Sequence, residues 1–220
     1  MTTDDPWWFV NNFSRLGDRT TFAASMFNTT LILAGLCVIV ISYFSVSELV
    51  TTYRQRELWH RRRFDRPGRD MPWFRVRMAI LSVLLAACGC CFIGIGSFRQ
   101  TPHPIAHNAF AFSLPGITAV LLLALPWLAP LFSKAMYVVS DLIVVVGTVA
   151  VVVWRYDITS MTNLELLLGM LFFGWFIVFC RQIAALEADR IQEQVVHLQL
   201  AVEGADAMGE PLESRVASDR

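Results

Sequence analysis

His103 and His107 stand four residues apart, the spacing that puts two imidazoles on one helix face and can ligate a transition metal. Asn28 and Glu165 fall in the polar openings of two other apolar runs. His107, Asn28 and Glu165 thus form the strongest constellation for acid–base or hydrogen-bonding chemistry: an imidazole that can give or take a proton, an amide and a carboxylate. The metal reading is poorer. Pro104 sets a helix start directly after His103, so His103 falls outside that helix, and only Glu165 offers itself as a further ligand. A haem would need histidines on facing helices at matched depth, and no second buried histidine is available. No metal and no cofactor are expected. Cys88 and Cys91 have CxxC spacing, but they lie in an apolar run without a basic neighbour. They read, with Cys37, Cys90 and Cys180, as small packing residues. The chain shows no nucleophile motif, phosphate loop or paired-carboxylate signature, so the reading leans away from an enzyme.

Arginine carries a different kind of chemistry. Nine arginines fall between Arg54 and Arg77, and Lys134 is the only lysine in the chain. Arg54, Arg56, Arg61, Arg62 and Arg63, interleaved with Trp59 and Trp73, suit anionic lipid head groups at a membrane surface. The same composition can stack and neutralise nucleic acid. A stretch tethered at both ends close to a bilayer favours lipid, so no nucleic-acid partner is expected. Topology alone also accounts for the charge, because short basic loops stay cytoplasmic.

The elements that hold these residues are apolar runs. Of the 220 residues 55% are hydrophobic and 16% charged, with a mean hydropathy of +0.52 and zero formal net charge. Ordinary globular chains carry roughly 25% charged residues. Five continuous runs predict an all-α polytopic bundle: 22–49, 76–98, 106–128, 137–154 and 163–180. Each is long enough to cross a hydrocarbon core of roughly 30 Å, and none alternates as a barrel strand does. The expected organisation is a tail at 1–21, a bundle at 22–182 with a basic loop at 51–75, an amphipathic helix at 183–203, and a disordered end at 204–220. Placing the arginine loop inside puts the N-terminus outside and the C-terminus in the cytoplasm, in the inner membrane of a bacterium. Asn28, His107, Asn163 and Glu165 then share the outer side, with Arg99, Asp157 and the Ser14–Asp18 turn. They form either one polar pocket or a set of helix caps. On the inner side, Glu48 and Asp141 call for partners, with Arg75, Arg77 and Lys134 as candidates.

Beyond the last run, Ala184, Ala188, Ile191, Val195, Leu198 and Val202 alternate at four and three. This is a heptad seam on a helix leaving the membrane, ending near Gly204. It can pair two copies, dock on a membrane-protein partner, or fold back on its own bundle.

The segment NNFSRLGDRTTFAASMFNTTLILAGL, and later GIGSFRQTPHPIAHNAFAF, resemble the Frag/DRAM/Sfk-like membrane superfamily, in a bacterial branch known mainly as a domain of unknown function. The matching positions are Ser14, Leu16, Gly17, Phe27, Asn28, Gly35, Gly94, Gly96, His107, Ala111 and Phe112. Members have six spans, and the usual first span is missing here, through a five-span variant or a truncated start. The resemblance implies lipid-linked roles such as bilayer organisation, without an established catalytic residue.

The expected function is a lipid-interacting or accessory subunit of a membrane complex. The alternative is a membrane enzyme or transporter handling a lipid at the outer residues His107, Glu165 and Asn28. The orientation has a direct test. A reporter active only in the cytoplasm is expected to work when fused after Arg220 and to fail at the N-terminus; the reverse pattern overturns the assignment.

Overall fold

A computed structural model of the chain describes residues 13–18, 20–64 and 72–208, and among these all regular structure is helical. A short 3-10 turn at Phe13–Gly17 precedes five helices: α1 Phe22–Phe64, α2 Phe74–Ser97, α3 Pro104–Leu128, α4 Lys134–Arg155 and α5 Met161–Met208. All five are long and apolar enough to cross a bilayer, so the chain is a multi-pass membrane protein.

Two helices run past their apolar segments. The expected loop at 51–75 is helical as far as Phe64. Thr51 to Phe64 holds Arg, Gln, Glu and Leu, all good helix formers, and the first breaker downstream is Pro67-Gly68. At the other end α5 continues through Gly204 to Met208, so the expected stop at Gly204 and disorder from 204 are corrected for 204–208. Residues 209–220 lie outside the described residues. A helical glycine costs about 1 kcal/mol relative to alanine, too little to end a helix this long.

The tightest packing joins α1 to α2. A Cβ on Gly35 would lie 2.5 Å from the Gly89 carbonyl oxygen, and one on Gly89 would lie 2.7 Å from that of Gly35. Two turns on, a Cβ on Gly96 would meet the Asn28 carbonyl oxygen at 2.7 Å. Glycine at these three positions lets the backbones touch, as small residues commonly do between membrane helices. Gly94 makes room instead for the ring of Phe110, joining α2 to α3.

The core takes buried side chains from all five helices, Val38, Val46 and Leu49 of α1 and Met136 of α4 among them. On α5 the rings of Phe172, Phe176, Phe179 and Trp175 stack along one face, and Phe92 of α2 packs against Phe172 and Phe173. Trp175 is fully buried, and its indole N–H donates to Ser140 Oγ at 3.0 Å. That hydroxyl donates to the Met136 carbonyl, so the polar atom buried with the ring is satisfied. Cys88 and Cys91 are buried and unpaired, with Cys88 Sγ 3.8 Å from Thr118 Oγ1 across α2 and α3. The helix α3 runs unbroken through Pro115 and Pro126.

Gly35→Val is expected to force α1 and α2 apart and to destabilise the bundle by about 1–3 kcal/mol, as overpacking does. Gly169→Ala, whose Cβ meets nothing within 4 Å, is expected to leave stability unchanged. Thermal unfolding in detergent measures both.

Candidate functional site

At one end of the bundle the sequence-predicted residues are placed by short, specific ties. His103 caps α3 and His107 sits in its first turn, 3% exposed. His107 Nδ1 lies 2.7 Å from the Phe98 carbonyl oxygen, an acceptor near the end of α2, so that nitrogen carries the proton. Phe98 stacks on Phe110 at 5.8 Å, which closes the corner between α2 and α3. Asn28 Nδ2 donates to the Gly17 carbonyl at 2.9 Å. A Cβ on Gly17 would strike the Asn28 and Phe27 side chains, so glycine is what lets the 3-10 turn sit on α1. From the same turn, Asp18 accepts from both the amide and the hydroxyl of Thr101. One carboxylate thereby ties the N-terminal turn to the link between α2 and α3.

Asn28 and His107 therefore lie at the same end but are spent on different carbonyls. Asn163 belongs to a cap: its amide donates to Ser160 Oγ and its side chain to Thr159 Oγ1. Asp157 takes a left-handed conformation just past the end of α4. Glu165 lies half-buried on the first turn of α5, an element that packs against the 3-10 turn, whereas α3 with His107 packs mainly on α2 and α4. His103 is exposed while His107 is buried, and no group of three potential metal ligands exists among the described residues.

At the opposite end the expected ion pairs are redrawn. Glu48 meets Arg190 of α5 at 2.9 Å, not Arg75, Arg77 or Lys134. Arg190 also approaches Glu187 one turn away, at 3.6 Å. Because α5 extends past its apolar run, Arg190 reaches the level of Glu48 at the end of the α1 run. The side chains are 17% and 30% exposed. Removing either partner is expected to cost on the order of 1–3 kcal/mol, less than for a fully buried pair. Arg77 instead donates to the Trp127 carbonyl at 3.0 Å and lies 4.7 Å from the Trp127 ring centroid. A cation at the C-terminal end of α3 gains from both the orphan carbonyl and the ring. Tyr53 reaches the α3–α4 link, its hydroxyl accepting from the Leu131 amide. Asp141 is exposed on α4, with no partner among the described residues.

Of the predicted lipid-contact residues, Arg54 is exposed on α1 and Trp73 is exposed ahead of α2. The side chains of Arg56, Trp59, Arg61, Arg62 and Arg63 lie outside the described residues. The six seam residues Ala184, Ala188, Ile191, Val195, Leu198 and Val202 are all exposed, so the seam does not fold back on its own bundle. Comparisons with protein-family models, curated proteins and solved structures return no match to this chain.

Sequence reading missed the Glu48–Arg190 pair, the Asp18–Thr101 tie and the Trp175–Ser140 pair. The first had a signal. Arg190 lies on the face of α5 that carries Ile183 and Leu186, three and four residues apart.

The ties at the His107 end predict structural roles. His107→Ala and Asn28→Ala are each expected to lower stability by about 1–2 kcal/mol, the cost of leaving a part-buried carbonyl unpaired. Unchanged unfolding midpoints in both variants would contradict that role.

Proposed function

We propose that this protein is a non-enzymatic accessory or assembly subunit of a membrane complex, anchored by its bundle and engaging its partner through the end of α5. The observation that carries the reading is the exposure of Ile191, Val195, Leu198 and Val202, between 38% and 67%, on a helix that runs well beyond the apolar segment. Apolar side chains in a row on a projecting helix are costly in water and mark an interaction face. The hydrogen bonding at the other end supports the same choice. His107 and Asn28 are engaged with backbone carbonyls of their own chain, which suits a closed corner better than a substrate site. The resemblance to the Frag/DRAM/Sfk-like superfamily favours contact with lipids, and the arginines from Arg54 onward suit anionic head groups. That placement makes the Arg54 side the cytoplasmic face of a bacterial inner membrane, with the N-terminus outside.

The test compares two kinds of change in the full chain, at a temperature where all variants stay folded. Deleting residues 184–203 is expected to release the protein from its complexes on native gels in mild detergent. His107→Ala and Glu165→Gln are expected to leave those complexes and the lipids bound in mass spectrometry unchanged. If the two substitutions alter the bound lipids while the deletion changes nothing, the lipid-handling alternative replaces this reading.

A further inference from the structure

The exposed stripe on α5 does not begin at the cytoplasmic seam. Stepping back from Ala184 by alternating three and four gives Arg181, Ile177, Gly174, Met170, Leu167 and Asn163, and every one of them is exposed. The heptad stripe therefore runs unbroken from Asn163 to Val202, about 60 Å at 1.5 Å per residue. The bundle packs on a second heptad stripe of the same helix: Phe172, Phe176, Phe179, Ile183, Leu186 and Arg190. At 100° per residue the two stripes lie on opposite sides. One side of α5 is used up internally and, among the described residues, the other is uncovered from Asn163 to Val202.

We infer that the free stripe pairs with the same stripe of a second copy of this chain, as a parallel two-stranded coiled coil that starts inside the bilayer and continues into the aqueous phase. This rests on the reading above, in which α5 is the working surface, and names the occupant. A partner must present a matching heptad face in lipid and in water without a break. A second copy inserted in the same direction supplies that helix, parallel and in register.

The charges agree with self-pairing. In the aqueous part the flanking positions are Ala185, Gln192, Gln194 and Gln199, with Glu187 as the single acid, and Glu187 is met by Arg190 of its own helix. Two copies therefore bring no unpaired like charges together at these positions, and glutamines can hydrogen-bond across the seam. The core residues agree as well. Val195 and Val202 fall at the a position with Leu198 at d between them, the β-branched-a, leucine-d arrangement that favours two strands, while Ile191 fills the preceding d. Gly174, Ala184 and Ala188 are small, and a Cβ on Gly174 meets nothing within 4 Å, so two helices can approach closely there. Arg181 is the one charge in the stripe. It stands where the apolar run ends, and its long side chain can reach anionic head groups while fixing the register. With its flanks the stripe offers about the 20–30 residues a side that a stable interface uses.

The test uses the full chain carrying a photo-crosslinking amino acid, p-benzoylphenylalanine, at Leu198 or at Glu193 on the bundle's side of α5. Each protein is reconstituted at low protein-to-lipid ratio in phosphatidylethanolamine–phosphatidylglycerol vesicles. Leu198 is expected to give a covalent dimer in at least tenfold higher yield than Glu193. Ile191→Glu with Val195→Glu is expected to remove that dimer while circular dichroism and the unfolding midpoint of the bundle stay unchanged. Equal yields from the two positions, or monomer alone from both, overturn the inference. Monomer alone, with the 184–203 deletion still dispersing native complexes, means that a different protein occupies the stripe: this inference then fails and the accessory reading stands. A Leu198 dimer with native complexes indifferent to the deletion is the converse, in which self-pairing holds and the accessory reading fails.

Discussion

The fold depends on a backbone-to-backbone approach of α1 and α2 at Gly35 and Gly89. Lipid offers no hydrophobic force to hold two helices together, so association relies on close van der Waals contact and on the few polar ties that can be fully satisfied. Gly35, Gly89 and Gly96 supply the contact over about two turns. The end of α2 is thereby held beside Asn28, and the Phe98 carbonyl is placed where His107 can reach it. The corner into α3 and the Asp18–Thr101 tie use the position of α2 that this contact sets, while the 3-10 turn itself rests on α1 through Asn28.

The same economy separates the two ends of the molecule. At the His107 end, polar side chains that could have formed a site satisfy carbonyls and amides near helix ends, where backbone groups lack intrahelical partners. At the other end, Glu48–Arg190 and Arg77–Trp127 fasten α1 to α5 and α2 to α3. The first of these ties holds α5 by one side. Its other side stays free, from the membrane segment into the projecting helix.

The five helices were legible because continuous apolar runs of this length have few alternatives, and His103 was correctly expected to fall outside α3 because proline favours the first helical position. Helix ends were less legible. The helical continuation beyond Cys180 showed in its heptad spacing, but the one beyond Leu49 did not: apolarity stops there while the backbone goes on to Phe64, since Arg, Gln and Glu continue a helix in water as well as Leu does. Partners were hardest to foresee. Glu48 was matched with basic residues near the same predicted rim, whereas its partner sits 142 residues downstream, on the expected helix beyond the last span, where no spacing rule links the two. The candidate triad shows the same limit. Asn28 and His107 do share one end, but which atom each one bonds depends on glycine contacts that no spacing rule displays.

The central claim is that the polar end is committed to structure and that the free side of α5 is the surface at work. Carbene footprinting of the protein in its own membranes, compared with the dispersed monomer in detergent and read by mass spectrometry, tests it most directly. The account predicts that Ile191, Val195 and Leu198 are shielded in the membrane and become labelled on dispersal, while labelling around His107 is low in both states. Strong labelling of the α5 stripe in the native membrane, together with protection around His107 that changes on dispersal, would contradict it.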